Sequence, residues 1–292
     1  MRNACSTFVL SMTFIRDIRE LAALKKLLQS FDVDLKIHIK IPKNMARQKG
    51  IIKLKGTIGG VSFYKTQDGD LAREKGGVDG SRIKNDAAFA RTRENGAEFG
   101  SSASAGKILR DAIRPLMLNT ADNRVVSRIT KVMTDIKNLD ATSARGERSV
   151  GTALALPAQA LLKGFNFNKR SVLGSVLHKP FTVQQNNGMI TISNLVPVND
   201  VVYPSGATHV SFKGAWAIVD FVAGTSSVEY SPEVNVPFNA VITNVQCLPP
   251  GIPIGVATNI YLLSVEFFQE INGVQYSLKN GAYNALAIVE VA

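Results

Sequence analysis

Three Asn-Gly pairs do most to restrict how the second half of this chain can fold. They lie at residues 187–188, 272–273 and 280–281, next to segments in which apolar residues are frequent or alternate with polar ones. Two-residue β-hairpin turns favour Asn-Gly because both central positions need a positive φ. We therefore predict a tight turn at each pair and about seven or eight antiparallel strands, arranged as a β-sandwich or jelly-roll-like domain over residues 165–292.

Large apolar side chains of these strands supply the predicted core. Trp216 and Phe221 belong to the segment ATHVSFKGAWAIVDFV, and Tyr261 and Phe267 belong to NIYLLSVEFF. The strands alternate, and their net charge is close to zero. We therefore expect residues 165–292 to fold as a soluble domain without the rest of the chain.

The positive charge of the chain is concentrated in its first half. The net charge is +11; residues 45–150 hold 20 Lys or Arg against 12 Asp or Glu, and residues 151–292 hold 6 against 7. Residues 1–44 add 8 basic against 4 acidic residues. Such an asymmetry predicts that the front of the chain meets a polyanion or an acidic surface.

Residues 50–75 have the pattern of a small, basic, three-stranded meander. IIKLKGT alternates apolar and basic residues, and turns are predicted at Gly59-Gly60 and Asp68-Gly69. The predicted polar face carries Lys53, Lys55, Lys65 and Arg73, and the predicted apolar face carries Ile52, Leu54, Val61 and Phe63. Because three short strands cannot bury a core alone, we expect the meander to fold together with the helices that follow it.

Four more basic residues complete the candidate polyanion-binding set: Arg82, Lys84, Arg91 and Arg93. The alternative interpretation of this cluster is a solvated basic face. Acidic residues lie close by, and Phe63 and Tyr64 are the only candidates for stacking on bases. Any binding of nucleic acid would therefore rest on contacts with its backbone and not on base readout.

Helices are predicted after the meander. Asn85 or Asp86 can cap a helix that runs to about Leu118, and Asp122 can cap a second one. Except for Glu98 and Phe99, small residues fill positions 96–106 of the first helix, where each glycine costs about 1 kcal/mol relative to alanine. Either this helix breaks near Gly100 or a neighbouring backbone packs closely against it.

These patterns divide the chain into four segments and predict an α+β fold. Residues 45–150 form a basic meander with helices, residues 151–164 a linker with short helices, and residues 165–292 the antiparallel sandwich. For residues 1–44 two interpretations stay open: a non-native upstream extension, with Met45 as the native start, or an amphipathic helix. The same segment makes a poor signal peptide, which leaves the cytoplasm as the default location.

Residues suited to catalysis are sparse. His178 and His209 lie 31 positions apart without a cysteine or carboxylate at ligand spacing, so we interpret them as ordinary histidines. Glu266 and Glu270 share one face of a strand, as a glycosidase pair would, but we interpret them as solubilising charges on an exposed face. We predict no catalytic, cofactor or metal site.

Other chemical signatures are also lacking in the sequence. Cys5 and Cys247 give neither a disulfide framework nor a CxxC pair. The glycine-rich stretches GTIGG and GDLAREKGGVDG lack the spacing of phosphate-binding loops and are better explained as turns. No apolar run reaches the roughly 18 residues of a membrane-spanning helix.

The front motifs resemble a family of proteins. ARQKGIIKLKGTIGGVSFYKTQDG, followed by AFARTRENGAEFG and AGKILR, is similar to the opening of an uncharacterised family found in Bacteroidota genomes. The resemblance implies a short basic meander, a helical segment and a β-rich C-terminal half. It implies no activity and transfers no functional residues.

Two functions are predicted. The first is a non-enzymatic structural or assembly protein, whose basic N-terminal module docks on a protein partner or on neighbouring copies; capsid-like and surface-array proteins have a comparable plan. The alternative is a nucleic-acid-binding protein that uses the basic face of residues 45–137. A hydrolase is the least favoured class.

Overall fold

The computed structural model of the protein describes residues 45–153, 156–278 and 281–292. Contacts divide the chain into two units, with the boundary between Gly77 and Val78. The two interpretations of residues 1–44, an upstream extension or an amphipathic helix, lie outside the described residues.

The N-terminal unit is an antiparallel sheet with the strand order β1-β4-β3-β2. Its strands are β1 (Met45–Arg47), β2 (Gly56–Ile58), β3 (Val61–Thr66) and β4 (Gly69–Glu74). The turn at Gly59-Gly60 is present, since Ile58 pairs with Val61. The sheet therefore has one strand more than the sequence predicted.

The segment IIKLKGT was predicted as a strand, and this prediction is wrong for most of its length. Only Gly56 and Thr57 belong to a strand, because the chain must first cross from β1 at one edge of the sheet to β2 at the other. The side chain of Gln48 holds this crossing segment. Its Oε1 accepts a hydrogen bond from the Leu54 amide at 2.8 Å, and its Nε2 donates to the carbonyls of Leu54 and Leu71 at 3.3 and 3.2 Å.

The C-terminal unit begins with helices. They are α1 (Gly80–Asn85), a 3-10 turn (Ala87–Phe89), α2 (Ala90–Ala112), α3 (Arg114–Met117), α4 (Val125–Lys137), α5 (Val150–Ala153), α6 (Leu156–Leu162), α7 (Leu173–Val176) and α8 (Pro197–Asp200). The longest two, α2 and α4, pack against each other.

Helix α2 is continuous through its run of small residues. At Gly106 an added Cβ would lie 3.3 Å from Cγ2 of Ile129, and 3.7 Å from the backbone nitrogen of Thr130, so α4 approaches closely there. Gly96 and Gly100 face open space, with no atom within 4 Å of such a Cβ. Of the two alternatives for this helix, close packing against a neighbour is the one observed.

Two antiparallel sheets follow. The strands are β5 (Thr182–Val183), β6 (Ile190–Leu195), β7 (His209–Asp220), β8 (Thr225–Tyr230), β9 (Val234–Pro237), β10 (Thr243–Cys247), β11 (Thr258–Ile271), β12 (Val274–Ser277) and β13 (Ala285–Val291). The long strands β7 and β11 pair at the centre of one sheet, with β8 and β9 beside β7 and with β12 and β13 beside β11. The second sheet has the order β10-β6-β5.

The central sheet is covered on both faces. Helices α2, α4 and α6 cover one face, where the sheet contributes Ala215, Ala217, Val219, Ile260, Leu262, Leu286 and Ile288. The small sheet covers the other face, where the central sheet contributes Val210, Phe212, Trp216, Tyr261, Leu263, Val265 and Phe267. This double burial explains why β11 is apolar almost throughout, since successive side chains of a strand point to opposite faces.

The predicted fold class is confirmed: the protein is α+β, with a small N-terminal meander and an antiparallel, β-rich C-terminal half. Trp216, Tyr261 and Phe267 are buried as predicted, and Trp216 stacks on Tyr261 with ring centroids 5.6 Å apart. Phe221 is half-buried and packs on the edge of the helix-side cluster.

The helices belong with the strands and not with the meander. Leu109 of α2 and Ile129 of α4 are buried in the same cluster as Leu262 of β11. The grouping of residues 45–150 into one module therefore differs from the structure, where the division falls after Gly77. The physical reason is that the apolar stripes of α2 and α4 are covered by the sheet.

Candidate functional site

The predicted basic face of the N-terminal sheet is not a single face. Lys65 lies directly opposite Asp70, whereas Arg73 lies opposite Ser62 and its guanidinium stacks over the ring of Tyr64 at 5.4 Å. Since Tyr64 and Lys65 are consecutive in β3, they point to opposite faces. Lys65 and Arg73 are thus separated by the sheet, which corrects the prediction that they share a polar face.

The other two predicted residues of this unit lie outside the strands. Lys53 and Lys55 are exposed in the segment that crosses from β1 to β2. The Lys53 ammonium donates a hydrogen bond to the carbonyl of Gln48, so it helps to fix that segment. Exposed charge is present here as predicted, but it is distributed around the sheet.

In the second cluster, two of the four basic side chains stabilise local structure. Arg82 forms an ion pair with Asp86, with Nε and Oδ2 separated by 3.2 Å. Arg93 donates to the carbonyls of Ile83 and Asp86, both at 2.8 Å. The Ala88 amide and then Arg82 lower the pKa of Asp86, which keeps a negative charge inside this basic cluster.

The remaining two, Lys84 and Arg91, are exposed, and no ion pair involving them is recorded among the described residues. The eight predicted residues fall in two units: Lys53, Lys55, Lys65 and Arg73 lie before the boundary, and Arg82, Lys84, Arg91 and Arg93 lie after it. Each unit therefore holds one group of four basic residues, and neither unit contains all eight.

The histidines occupy different environments. His178 is exposed, and its backbone amide donates to the carbonyl of Asp200. His209 opens β7 and lies 3.6 Å from Glu270, measured between Nε2 and Oε2. Glu270 is exposed and also accepts a hydrogen bond from Nε2 of Gln275 at 3.3 Å.

Glu266 is not a solubilising charge, which corrects the prediction made for it. Its side chain is buried at 8% relative exposure on the helix side of β11. Nδ2 of Asn119 donates to both of its carboxylate oxygens, at 3.0 and 3.1 Å, and Oγ of Ser264 donates to Oε1 at 3.3 Å. Burial raises the pKa of Glu266, and the hydrogen bond from Asn119 opposes that rise in part.

Asn119 is held at this point by a second buried residue. Nδ2 of Asn284 donates to the backbone carbonyl of Asn119 at 2.8 Å, while Oδ1 of Asn284 accepts from the Phe267 amide at 3.2 Å. An added Cβ at Gly281, where φ is +74°, would lie 2.2 Å from the same Asn119 carbonyl. Asn284, which directly precedes β13, therefore connects the segment after α3 to β11.

The spacing of four between Glu266 and Glu270 places both residues on one face of a strand, but it does not show whether that face is covered. One signal was available: apart from Ser264, the residues from Ile260 to Val265 are apolar on both sides of β11, which indicates a strand covered on both faces. A carboxylate on a face that is covered in this way has to be hydrogen-bonded, as Glu266 is to Asn119.

A second buried polar cluster lies where α4 leads into α5. Lys137 and Glu98 form an ion pair with side chains only 9% and 6% exposed, and the Gly146 amide donates to Glu98 at 2.9 Å. Asp140 accepts from the amides of Thr142 and Ser143, both at 3.0 Å, and from the hydroxyl of Thr152. The segment between α4 and α5 is thus fixed by buried carboxylates.

We expect Asp140→Asn to lower the urea midpoint of unfolding at pH 7. Hydrogen bonds from Ser143 and then Thr152 lower the pKa of Asp140 well below its usual range. A lowered pKa in the folded state contributes stability above the unfolded value of about 3.9, and this stability is lost as the pH falls through the folded value. The difference between variant and wild type should therefore shrink at pH 3. Asp135→Asn, on the exposed side of α4, serves as control; equal effects of both substitutions would contradict this account.

Among the described residues, no group of three or more His, Cys, Asp or Glu side chains is arranged to hold a metal ion. Within the same residues, no helix combines the length and apolar character needed to cross a membrane.

Comparison with known proteins found no matching family model, no matching curated protein and no matching solved structure. The resemblance to an uncharacterised Bacteroidota family stays a prediction.

Proposed function

We propose that this chain is a non-enzymatic interaction or assembly protein, in which the N-terminal sheet docks on a partner protein or on a neighbouring copy. The C-terminal unit, with its doubly covered sheet, is the stable body that carries this sheet.

One observation carries the proposal. From residue 46 to residue 77 no side chain is buried, although the segment includes several large apolar residues. Ile51, Ile52 and Ile58 are 103%, 81% and 61% exposed. A sheet of four short strands gains little stability unless an apolar face packs against something. A partner that covered these side chains would supply the missing burial.

The strand order supports docking through the edges as well. β1 and β2 each pair with one strand of this sheet, so their outer backbone groups are not used within it. Unpaired strand edges are sites for adding a strand from another chain. Neither edge strand contains a proline, which would block such pairing.

The alternative function, binding of nucleic acid by residues 45–137, is supported by the positive charge of that part of the chain. The exposed Lys55, Lys65, Lys84 and Arg91 could contact phosphates. The distribution of charge over both faces of the sheet favours a protein partner over a polyanion.

Light scattering coupled to size exclusion, together with affinity capture using the full-length chain, tests the proposal. We expect self-association, or capture of a defined partner, that Ile58→Ser abolishes. Leu118→Ser, a matched change at a residue 72% exposed in the other unit, should leave it intact. A monomer at every concentration that captures no partner would exclude this function.

The alternative has its own observable. If nucleic acid is the partner, log K for a duplex should fall with log salt by about 0.9 per phosphate neutralised. Elution of the protein from heparin at low salt would argue against nucleic-acid binding. Duplex binding that depends steeply on salt and is unchanged by Ile58→Ser would favour nucleic-acid binding over protein docking.

A further inference from the structure

Lys213 and Glu266 are diagonal neighbours on the helix side of the central sheet, and Asn119 contacts Glu266 from the segment after α3. Lys213 of β7 lies directly opposite Ser264 of β11, and Glu266 is the next residue of β11 on that face. Such diagonal neighbours are about 7–8 Å apart at Cα, within reach of a long side chain. The carboxamide of Asn119 lies against Glu266 through the hydrogen bonds of 3.0 and 3.1 Å.

Two charged neighbours act on Glu266: Glu233 raises the pKa of its carboxyl group and Lys213 lowers it. No ion pair is recorded between Lys213 and any carboxylate of the described residues; its Nζ lies instead 5.7 Å from the centroid of the Tyr230 ring. The hydroxyl of Tyr230 donates to the carbonyl of Ala112 at 3.0 Å, which places the ring beside the end of α2. An aromatic face and half-buried surroundings disfavour full hydration of the Lys213 amine.

We propose that Lys213 and Asn119 become joined by an intramolecular isopeptide bond, with Glu266 as the group that carries the proton. The arrangement supplies the three parts that such a reaction needs: an amine nucleophile, a carboxamide electrophile, and a buried carboxyl group in contact with the carboxamide.

The reaction balances without an oxidant or a co-reactant. The Lys213 ammonium first releases one proton to solvent, and its Nζ then attacks Cγ of Asn119 and forms the new C–N bond. Glu266 accepts the proton that Nζ loses and delivers it to Nδ2 of Asn119, whose bond to Cγ breaks. Ammonia leaves, a secondary amide remains, and Glu266 returns to its starting state.

The environment of Glu266 suits this role. Burial raises the pKa of its carboxyl group, and the charge of Glu233 adds to that rise, while the hydrogen bond from Asn119 and the Lys213 ammonium oppose it. The net rise makes this carboxyl group easier to protonate than an exposed one. Asn284 fixes the backbone carbonyl of Asn119, which keeps the carboxamide in place while Lys213 approaches.

Intact-mass spectrometry of the denatured, full-length protein tests the proposal. We expect the wild type to be lighter than its sequence mass by one molecule of ammonia, and a tryptic digest to contain one peptide that joins the segments of Lys213 and Asn119. Lys213→Arg keeps the charge but should remain at its full sequence mass. Glu266→Gln should also remain at full mass, with folding of both variants checked by the fluorescence of Trp216.

The Asn-Gly pairs require a control, because succinimide formation at such a pair also releases ammonia. That loss would persist in Lys213→Arg, whereas loss through the isopeptide bond would not. A wild-type chain at its sequence mass, or a loss that persists in Lys213→Arg, overturns the proposal. A bond that still forms in Glu266→Gln removes Glu266 from its assigned role.

Discussion

A fragment of residues 165–292 is expected to aggregate when it is expressed alone. It would lack α2, α4 and α6, which cover the helix-side face of the central sheet. Ala217, Leu262 and Ile288, each fully buried in the whole chain, would then be exposed together. Exposed contiguous apolar surface of this kind leads to association. This expectation replaces the one drawn from sequence, that the strands form a soluble domain without the helices.

A fragment of residues 78–292 is the matched comparison. It keeps the whole of the larger contact unit, so we expect it to be soluble and to unfold in one cooperative transition. Circular dichroism melts and light scattering of both fragments provide the measurement. A soluble 165–292 fragment with a cooperative melt would show that the strands need no helical cover.

Leu109→Ala is expected to destabilise the C-terminal unit by about 2–5 kcal/mol, the usual range for removing a buried leucine side chain. Leu109 is fully buried between α2, α4 and the central sheet. Because the helices and the sheet share this core, the loss should reach the strands as well. The fluorescence of Trp216, the single tryptophan of the chain, reports on the sheet from its opposite face.

Urea unfolding followed both by Trp216 fluorescence and by far-ultraviolet circular dichroism checks this prediction. Both probes should shift to the same lower midpoint. Leu118→Ala makes the same chemical change at a residue that is 72% exposed and should change stability by no more than about 0.5 kcal/mol. A lower midpoint by circular dichroism with an unchanged Trp216 transition would mean that the helices unfold separately.

Turn chemistry was the most reliable guide that the sequence offered. Asn272 and Gly273 have φ of 52° and 77° and connect β11 to β12 through a two-residue turn, as predicted. Gly188 has φ of 72° as well, but the connection there runs from Gln184 to Met189 and is longer than the predicted two-residue turn. At the third pair Gly281 has φ of 74°, and Asn280 lies outside the described residues. These positions could be found because the requirement for a positive φ acts locally and depends on few residues.

The placement of whole elements could not be found in the same way. The apolar stripes of α2 and α4 require a cover, but periodicity does not say whether the meander or the sheet provides it. Likewise, alternation in IIKLKGT suits a strand, yet the chain needs those residues to cross between edges. Both outcomes depend on topology, which joins residues far apart in sequence.

The candidate site shows the same limit. Lys53, Lys55, Lys65 and Arg73 were identified correctly as exposed, since charge alone predicts exposure. Their division between faces depends on the register of β3 and β4. Glu266 was missed because its partner Asn119 lies 147 positions away.

Helix α2 also predicts how this protein can vary. Gly96, Gly100 and Gly106 are the same residue in the same helix, but only Gly106 lies against a neighbouring helix. Alanine at position 96 or 100 would fit without a clash and would increase the helix propensity of α2. A larger residue at position 106 would force α2 and α4 apart. Tolerance to mutation along this helix should therefore follow its helical period, so that apparently equivalent glycines evolve at different rates.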